Sequence, residues 1–337
     1  SHFGFGHPRS RCFFFCLVMM GANRKLARLT CFLFVLGAFG QTCGAAGGLK
    51  PGHVWERSFN QTDSDERLGT YQRNYHVQLP RGYDGSKKLP LMLYFHGWCD
   101  TTTSWGKFPQ QSNDEGYMFV APVGMADGFP GYVSWNVQAS GDDDVCIPGL
   151  TTPYNYTSCA VVKKEGPCNC YTCYDDVKFI SDLVSALQDE FCIDTDRIVG
   201  VGASNGAMFL HTLSARLVQE NLSFRFKAIV PFYGAFFETL QSVPPQLQGV
   251  SVFAHHGDHD VTIPPLGGLS YDHYKYIAVD STLAAHAGVN ECVGNLTAIA
   301  TPFDESQDMS GCYEYVGCTS VRLVHCHFNT GHGFWYS

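Results

Sequence analysis

Beyond its first 45 positions the sequence is short of basic charge. Of the 22 Lys and Arg among 337 residues, five (Arg9, Arg11, Arg24, Lys25, Arg28) lie in 1–45, where there is no acid. The remainder holds 17 basic against 31 acidic residues, a net charge of −14. A body this acidic suits neither nucleic acid nor anionic membrane, whose binding rests on clustered Lys and Arg. The apolar run Leu29 to Gly40 counts twelve residues, well under the roughly 20 that a membrane-spanning helix needs. Internal repeats and low-complexity tracts are also missing. No motif calls for a metal, a nucleotide or another cofactor.

The sequence is instead rich in apolar side chain and in cysteine. At 45% hydrophobic residues it can bury a sizeable core. Arg24, Lys25 and Arg28 followed by Leu29 to Gly40 read as the charged and apolar regions of a signal peptide, with small residues for cleavage after Ala45 or Ala46. Translation is expected to start at Met19 or Met20. This divides the chain into 1–45, upstream segment and signal, and 46–337, a single catalytic domain, and places the mature protein outside the cell. Eleven of the 15 cysteines lie beyond residue 45. In an exported chain they read as disulfides, and the odd number leaves at least one thiol free or paired outside the chain. The run Cys159, Cys168, Cys170, Cys173 lacks paired C-x-x-C knuckles, so disulfides are favoured over zinc there. Sequons at Asn60, Asn155, Asn221 and Asn295 are compatible with glycosylation.

Apolar runs alternate with amphipathic stretches, which predicts an α/β fold with a mostly parallel central sheet in a three-layer sandwich. Strands are expected at Tyr71–Leu79, Leu89–Phe95, Tyr117–Ala121, Arg197–Ala203, Lys227–Phe232, Val250–His255 and Val321–His325. Helices are expected at Asp175–Glu190, where Val177, Ile180, Leu183, Val184 and Leu187 recur at helical spacing, and at Asn205–Gln219 and Tyr276–Ala287. Residues 140–173, rich in Gly, Pro, Asp and Cys, read as a disulfide-pinned surface excursion.

Gly202-Ala203-Ser204-Asn205-Gly206 is a G-x-S-x-G sequence set between the apolar run 198–201 and a helical pattern. In that strand–turn–helix context the serine is a candidate nucleophile, raised on a tight turn that small neighbours permit. An acid and a histidine should follow later in the chain. Asp258 and Asp260 compete for the first role. His332, freed by Gly331 and Gly333, is the candidate base, while His325 and His327 lie within the last strand and are expected to be packed. Backbone N–H groups of Trp98, in His96-Gly97-Trp98-Cys99, and of Asn205 are the candidate oxyanion donors. His96 itself reads as a buried structural histidine.

These blocks resemble the secreted esterase family that holds feruloyl esterases, acetylxylan esterases and polyhydroxybutyrate depolymerases, all of the α/β-hydrolase fold. The likeness is carried by Leu91-Met92-Leu93-Tyr94-Phe95-His96-Gly97, by Pro122-Val123-Gly124 with Trp135-Asn136, and by Asp175-Asp176-Val177-Lys178-Phe179-Ile180. It continues through Asp194-Thr195-Asp196-Arg197-Ile198 into the serine motif, His256 to Pro264, and Gly331-His332-Gly333-Phe334-Trp335. The resemblance implies Asp260 rather than Asp258 as the acid, and Trp135 and Trp335 beside the substrate. The sequence departs from the family at Ala207, where a second glycine is usual, and in the spacing of His332 and Trp335.

The resemblance thus implies a serine carboxylic-ester hydrolase with no cofactor; it does not decide the substrate, for which esters of polysaccharide are the leading reading and a polyester depolymerase the alternative. A noncatalytic extracellular binding protein is the reading from another class. The complete Ser/Asp/His set speaks against it. The acidic body and the sequons suit a hydrated carbohydrate better than a hydrophobic solid, which asks for an exposed apolar patch or a separate binding domain. Oligomeric state is not legible.

Overall fold

Leu89–Phe95 is apolar at nearly every position, the composition of a strand covered on both faces. In the computed structural model it lies at the centre of the molecule. The structure describes residues 47–333 apart from 129–130, 139–142, 152–153, 239–242 and 300–308. The expectations for 1–45 and for Trp335 lie outside the described residues.

In chain order the strands are β1 (Trp55–Thr62), β2 (Thr70–Gln78), β3 (Leu89–Phe95), β4 (Met118–Pro122), β5 (Ile193–Ala203), β6 (Ala228–Phe232), β7 (Ser251–Gly257), β8 (Gly268–Leu269), β9 (Lys275–Tyr276), β10 (Leu296–Ile299), β11 (Met309–Tyr315) and β12 (Leu323–Phe328). The helices are α1 (Phe108–Glu115), α2 (Thr157–Val162), α3 (Asp176–Glu190), α4 (Asn205–Gln219) and α5 (Val279–Val289). Ten strands form one sheet in the order β1-β2-β4-β3-β5-β6-β7-β12-β11-β10. From β4 to β12 neighbouring strands run parallel. β2 and β1 extend one edge antiparallel, and β11 and β10 the other.

The three layers follow from alternation along the strands. Leu91, Leu93 and Phe95 join the core formed with Ile180, Leu183 and Leu187 of α3 and Leu210 and Leu213 of α4. Met92 and Tyr94 face the other way, onto Phe119, Val201 and Phe108 of α1. In α3 every residue of the expected stripe is buried, and Asp175 caps the helix by accepting a hydrogen bond from the Lys178 N–H at 2.9 Å. The seven expected strands and three expected helices are all present, with ends shifted by a few residues. β1, β10 and β11 were not legible, because their exposed edge positions carry polar residues and no continuous apolar run marks them.

Disulfides Cys146–Cys168 and Cys159–Cys173 pin the 140–173 excursion. Three of the four sulfurs that a zinc site at 159–173 would need are therefore committed to S–S bonds. Cys292–Cys318 and Cys312–Cys326 clasp the β10–β12 edge. Cys192 is also disulfide-bonded, and Cys99 and Cys170 are free thiols. The ion pair between Arg73 and Asp176 is fully buried. The Arg73 guanidinium lies 2.7 Å from Asp176 and 3.7 Å from the centroid of the Phe179 ring, while the second Asp176 oxygen accepts from the Asn136 N–H. This ties the 135–136 loop to the first turn of α3.

Two buried histidines make the fold acid-sensitive. His211 of α4 and His286 of α5 face each other at 6.0 Å, and neither nitrogen of His286 nor Nδ1 of His211 has a hydrogen-bond partner. Burial depresses His211 to about 3, helped by His286, and depresses His286 to about 4. Both are neutral in the fold, while an unfolded histidine takes up a proton near pH 6.5. Their stabilisation is therefore complete above about pH 6.5 and is lost as the pH falls toward 4. Urea midpoints measured from pH 7 to 4.5 are expected to fall. In His211→Phe the slope should be shallower by up to about 1.4 kcal/mol per pH unit. Equal slopes in the two proteins would contradict this account.

Candidate active site

Ser204 sits between the end of β5 and the start of α4 at φ 52° and ψ −120°, a conformation that non-glycine residues rarely hold. Its N–H donates to the Phe232 carbonyl of the neighbouring strand, and its own carbonyl accepts from the N–H groups of Ala207 and Met208. The turn exists because its neighbours have no side chain. A Cβ on Gly206 would stand 2.3 Å from the Phe95 carbonyl oxygen, and one on Gly202 would stand 2.5 Å from that of Gly206. Ala207, the departure from the family pattern, is accommodated by Gly234, where a Cβ would fall 2.4 Å from that of Ala207.

The loop after β7 carries Asp260 and the loop after β12 carries His332. The strands continue to pair beyond their ends, with Asp258 N–H donating to Phe328 and His259 N–H to Thr330. Gly257 permits the approach, since a Cβ there would stand 2.4 Å from the Gly331 carbonyl oxygen. The result is a relay. His332 Nδ1 lies 2.7 Å from Asp260 Oδ2, and His332 Nε2 lies 2.9 Å from Ser204 Oγ. A carboxylate only accepts, so Nδ1–H donates to Asp260, and Nε2 is left to accept from the serine hydroxyl.

The Asp260 side chain is fully buried. Burial alone would raise its pKa. Hydrogen bonds from His256 and His332, the charge of His332 and the Ile263 N–H outweigh burial and hold the carboxyl well below the ordinary range. Oδ1 accepts from the N–H groups of Thr262 and Ile263, both at 2.9 Å. Asp258 turns away. It accepts from His327 Nδ1 at 2.9 Å and from Ser310 Oγ at 2.5 Å. The geometry therefore pairs His332 with Asp260, and sets Asp258 against the sheet edge.

Asn205 is the first residue of α4, so its N–H has no acceptor within the helix. Its side chain makes a reciprocal pair with the backbone of Trp135, Oδ1 accepting at 2.7 Å and Nδ2 donating at 3.1 Å. Gly97 lies against the serine, where an added Cβ would be 3.5 Å from Ser204 Cβ. His96 is buried and neutral. Its Nε2 accepts from the Gly124 N–H at 2.9 Å, so Nδ1–H donates to the Gly97 carbonyl at 2.8 Å. Burial depresses its pKa, and the bond to Gly97 only partly offsets this. Because a trans peptide points its C=O and N–H in opposite directions, that bond turns the Trp98 N–H away from His96.

The Trp98 indole donates to the Tyr156 hydroxyl at 2.9 Å, and its ring lies 4.8 Å from Tyr132 and 4.9 Å from Tyr154. These rings form an aromatic wall around Trp98, the residue that follows Gly97. Trp135 does not belong to it. It is 0% exposed, stacked 5.1 Å from Phe209 at 9°, edge-on to Phe95, and donates from its indole to the His96 carbonyl. The expected substrate contact at Trp135 is thus replaced by a core role, since the large apolar ring is better buried between the two phenylalanines. Two neighbours of the relay went unnoticed in the sequence. His256 Nε2 bonds the Ile263 carbonyl at 2.8 Å and approaches Asp260 Oδ2 at 3.2 Å, and the Tyr233 ring packs edge-on to His332 at 4.7 Å. His256 stands four residues before Asp260, a spacing that could have flagged it. Tyr233 carries no local signal.

A scan of protein-family models and a search of curated protein sequences find no match to this chain. Among solved structures it is similar to an acetyl xylan esterase from Aspergillus awamori, at 14% identity and a TM-score of 0.51, over 82% of this chain and 94% of that one. Looser likenesses are to a carboxylesterase from Bacillus cereus, at 13% identity and 0.41 over 83% and 88%, and to a ferulic acid esterase, at 13% and 0.36 over 62% and 80%. At such identities the likeness is one of fold. The chain is an α/β-hydrolase in fold. The order β4-β3-β5-β6-β7-β12 is the parallel core of this fold, and the Ser204 turn stands at the carboxyl end of β5.

Packing between Ala207 and Gly234 gives a direct test of the turn. Gly234→Ala is expected to destabilise the protein by about 1–3 kcal/mol through overpacking. Ala207→Gly in the same chain should recover much of that loss, measured as a coupling energy in a double-mutant cycle. Strict additivity would show that the two positions do not meet.

Proposed function

We propose that the chain is a secreted serine carboxylic-ester hydrolase. The observation that carries this reading is the unbroken relay from Ser204 Oγ through His332 to Asp260, at 2.9 and 2.7 Å, on a turn that holds the serine at φ 52°. Ser204 Oγ attacks the ester carbonyl carbon as His332 Nε2 takes its proton. The carbonyl oxygen becomes an oxyanion held by the N–H groups of Trp98 and Asn205. When the tetrahedral intermediate collapses, His332 returns the proton to the leaving alcohol and the acyl group remains on Ser204. A water then gives its proton to His332, attacks the acyl carbonyl and releases the acid, and the serine is restored. Asp260 stays ionised throughout, fixing the tautomer and stabilising the imidazolium. The four disulfides among the described residues suit an oxidising compartment. None of the described helices is long and apolar enough to cross a membrane.

For the substrate we favour feruloyl or acetyl esters on polysaccharide. The Trp98, Tyr132 and Tyr154 wall offers flat faces to an aromatic acyl group or a sugar ring. One observation favours the polyester reading. Val261, Leu266, Leu269 and Tyr271, in the segment after Asp260, are 63%, 86%, 49% and 66% exposed. Such a rim is what adsorption to a hydrophobic solid asks for. Ferulate and acetate release from polysaccharide esters, set against hydroxybutyrate release from amorphous polymer, separates the two. We expect the sugar esters to be cleaved faster.

Ser204→Ala should leave the fold intact, abolish labelling by a fluorophosphonate probe and lower ester hydrolysis on the order of 10⁴–10⁶-fold. Asp260→Asn should cost about 10⁴-fold, and Asp258→Asn far less. Near wild-type turnover in folded Ser204→Ala protein would show that Ser204 is not the nucleophile, whereas neither labelling nor turnover in the wild type would favour the noncatalytic binding reading.

A further inference from the structure

His325 and His327 stand two apart on β12, so their side chains emerge on the same face of the sheet. That face is covered by α5, whose first turn presents Asp280. The two imidazoles lie 3.9 Å apart between ring centroids. His325 Nδ1 meets Asp280 Oδ1 at 2.8 Å, and His327 Nδ1 meets Asp258 Oδ1 at 2.9 Å. The reaction proposed above uses none of these groups.

The hydrogen bonds decide which nitrogen is available on each ring. At His327 the Asp258 carboxylate can only accept, so Nδ1 carries the proton and Nε2 the lone pair, whereas at His325 an ion would take the place of the Nδ1 proton and join Nδ1 to Asp280 Oδ1. A carboxylate behind Nδ1 is the arrangement that orients an imidazole toward a metal and strengthens it as a ligand. His325 Nε2 is buried and has no hydrogen-bond partner, although the ring is 1% exposed. One potential ligand atom from each of Asp280, His325 and His327 lies within 4.8 Å of the others. Tetrahedral bonds of about 2.1 Å need separations of roughly 3.4 Å, which falls between the 2.8 Å of the His325–Asp280 pair and the 4.8 Å that bounds the set. A cleft of about 400 Å³, lined by Asp258, Asp280, Leu296, Ser310, Tyr313 and His327, opens beside them and leaves room for water ligands.

We propose that Asp280, His325 and His327 form a site for one divalent transition-metal ion of the zinc kind, with Asp258 orienting His327. Two imidazoles and a single carboxylate suit zinc, cobalt or nickel, and too few oxygens are present for calcium or magnesium. The ion would join α5 to β12, the strand that leads into the His332 loop.

The test uses the full chain stripped of metal with a chelator. Calorimetric titration with zinc chloride is expected to give a stoichiometry near one, and zinc should raise the unfolding temperature, whereas magnesium and calcium should not. His325 is buried and its replacement could prevent folding, so the variants are His327→Ala and Asp280→Asn, at partly exposed positions. Each is expected to weaken zinc binding at least about tenfold and to remove most of the thermal shift, while circular dichroism shows the fold retained. No zinc binding by wild-type protein, or binding undiminished in both folded variants, would overturn the assignment. The second outcome would place the ion on other surface histidines.

Discussion

Everything at the candidate active site depends on how closely backbone can approach the Ser204 turn. The serine is held at φ 52° and ψ −120°, a strain of about 1–3 kcal/mol that only an over-determined surrounding can sustain. That surrounding is mostly main chain. The Phe95 and His96 carbonyls press on Gly206, and the Gly206 carbonyl presses on Gly202. Beneath them the Phe95, Trp135 and Phe209 rings form a rigid aromatic base. The Asn205 side chain, bonded twice to Trp135, fixes the first turn of α4 to the 135–136 loop, which the buried Arg73–Asp176 pair holds in turn. Ser204 is thus held by packing gathered at the carboxyl ends of β3 and β5.

The remaining two members of the relay are positioned by a different device, strand pairing that outruns the strands. β7 and β12 continue to exchange hydrogen bonds into the loops bearing Asp260 and His332. Because the two loops are bonded to each other, the 2.7 Å contact between the acid and the histidine is set by backbone before any side chain adjusts. His256 on β7 and Tyr233 after β6 then close around the pair.

Much of this was legible in the sequence because it follows from short-range rules. The buried parallel strands announced themselves as apolar runs, α3 by its stripe, and the serine turn by glycine spacing. The choice of Asp260 over Asp258 was not legible in the residues alone, since both sit in one polar loop; it came from the family likeness, and the structure separates them by direction. Trp135 was misread because proximity to site motifs in sequence says nothing about which way a ring points. The edge strands β1, β10 and β11 were invisible because half their positions face water. The His325–His327 pair looked like two packed strand residues, and only the approach of α5, 45 positions earlier in the chain, gives it an acid partner.

The order of the sheet also has a consequence in time. β7 finds its outer neighbour only in β12, and the histidine lies 128 positions after the serine. At synthesis rates of about 5–20 residues per second, the serine turn emerges roughly 6–25 s before its base. From Gly257, where β7 ends, to Leu323, where β12 begins, 66 positions or roughly 3–13 s pass in which β7 is an open, apolar sheet edge of the kind that pairs with other chains. The nascent chain therefore carries an adhesive edge until its last strands arrive. Cover for that edge would be needed before the Ser204, His332 and Asp260 relay can close.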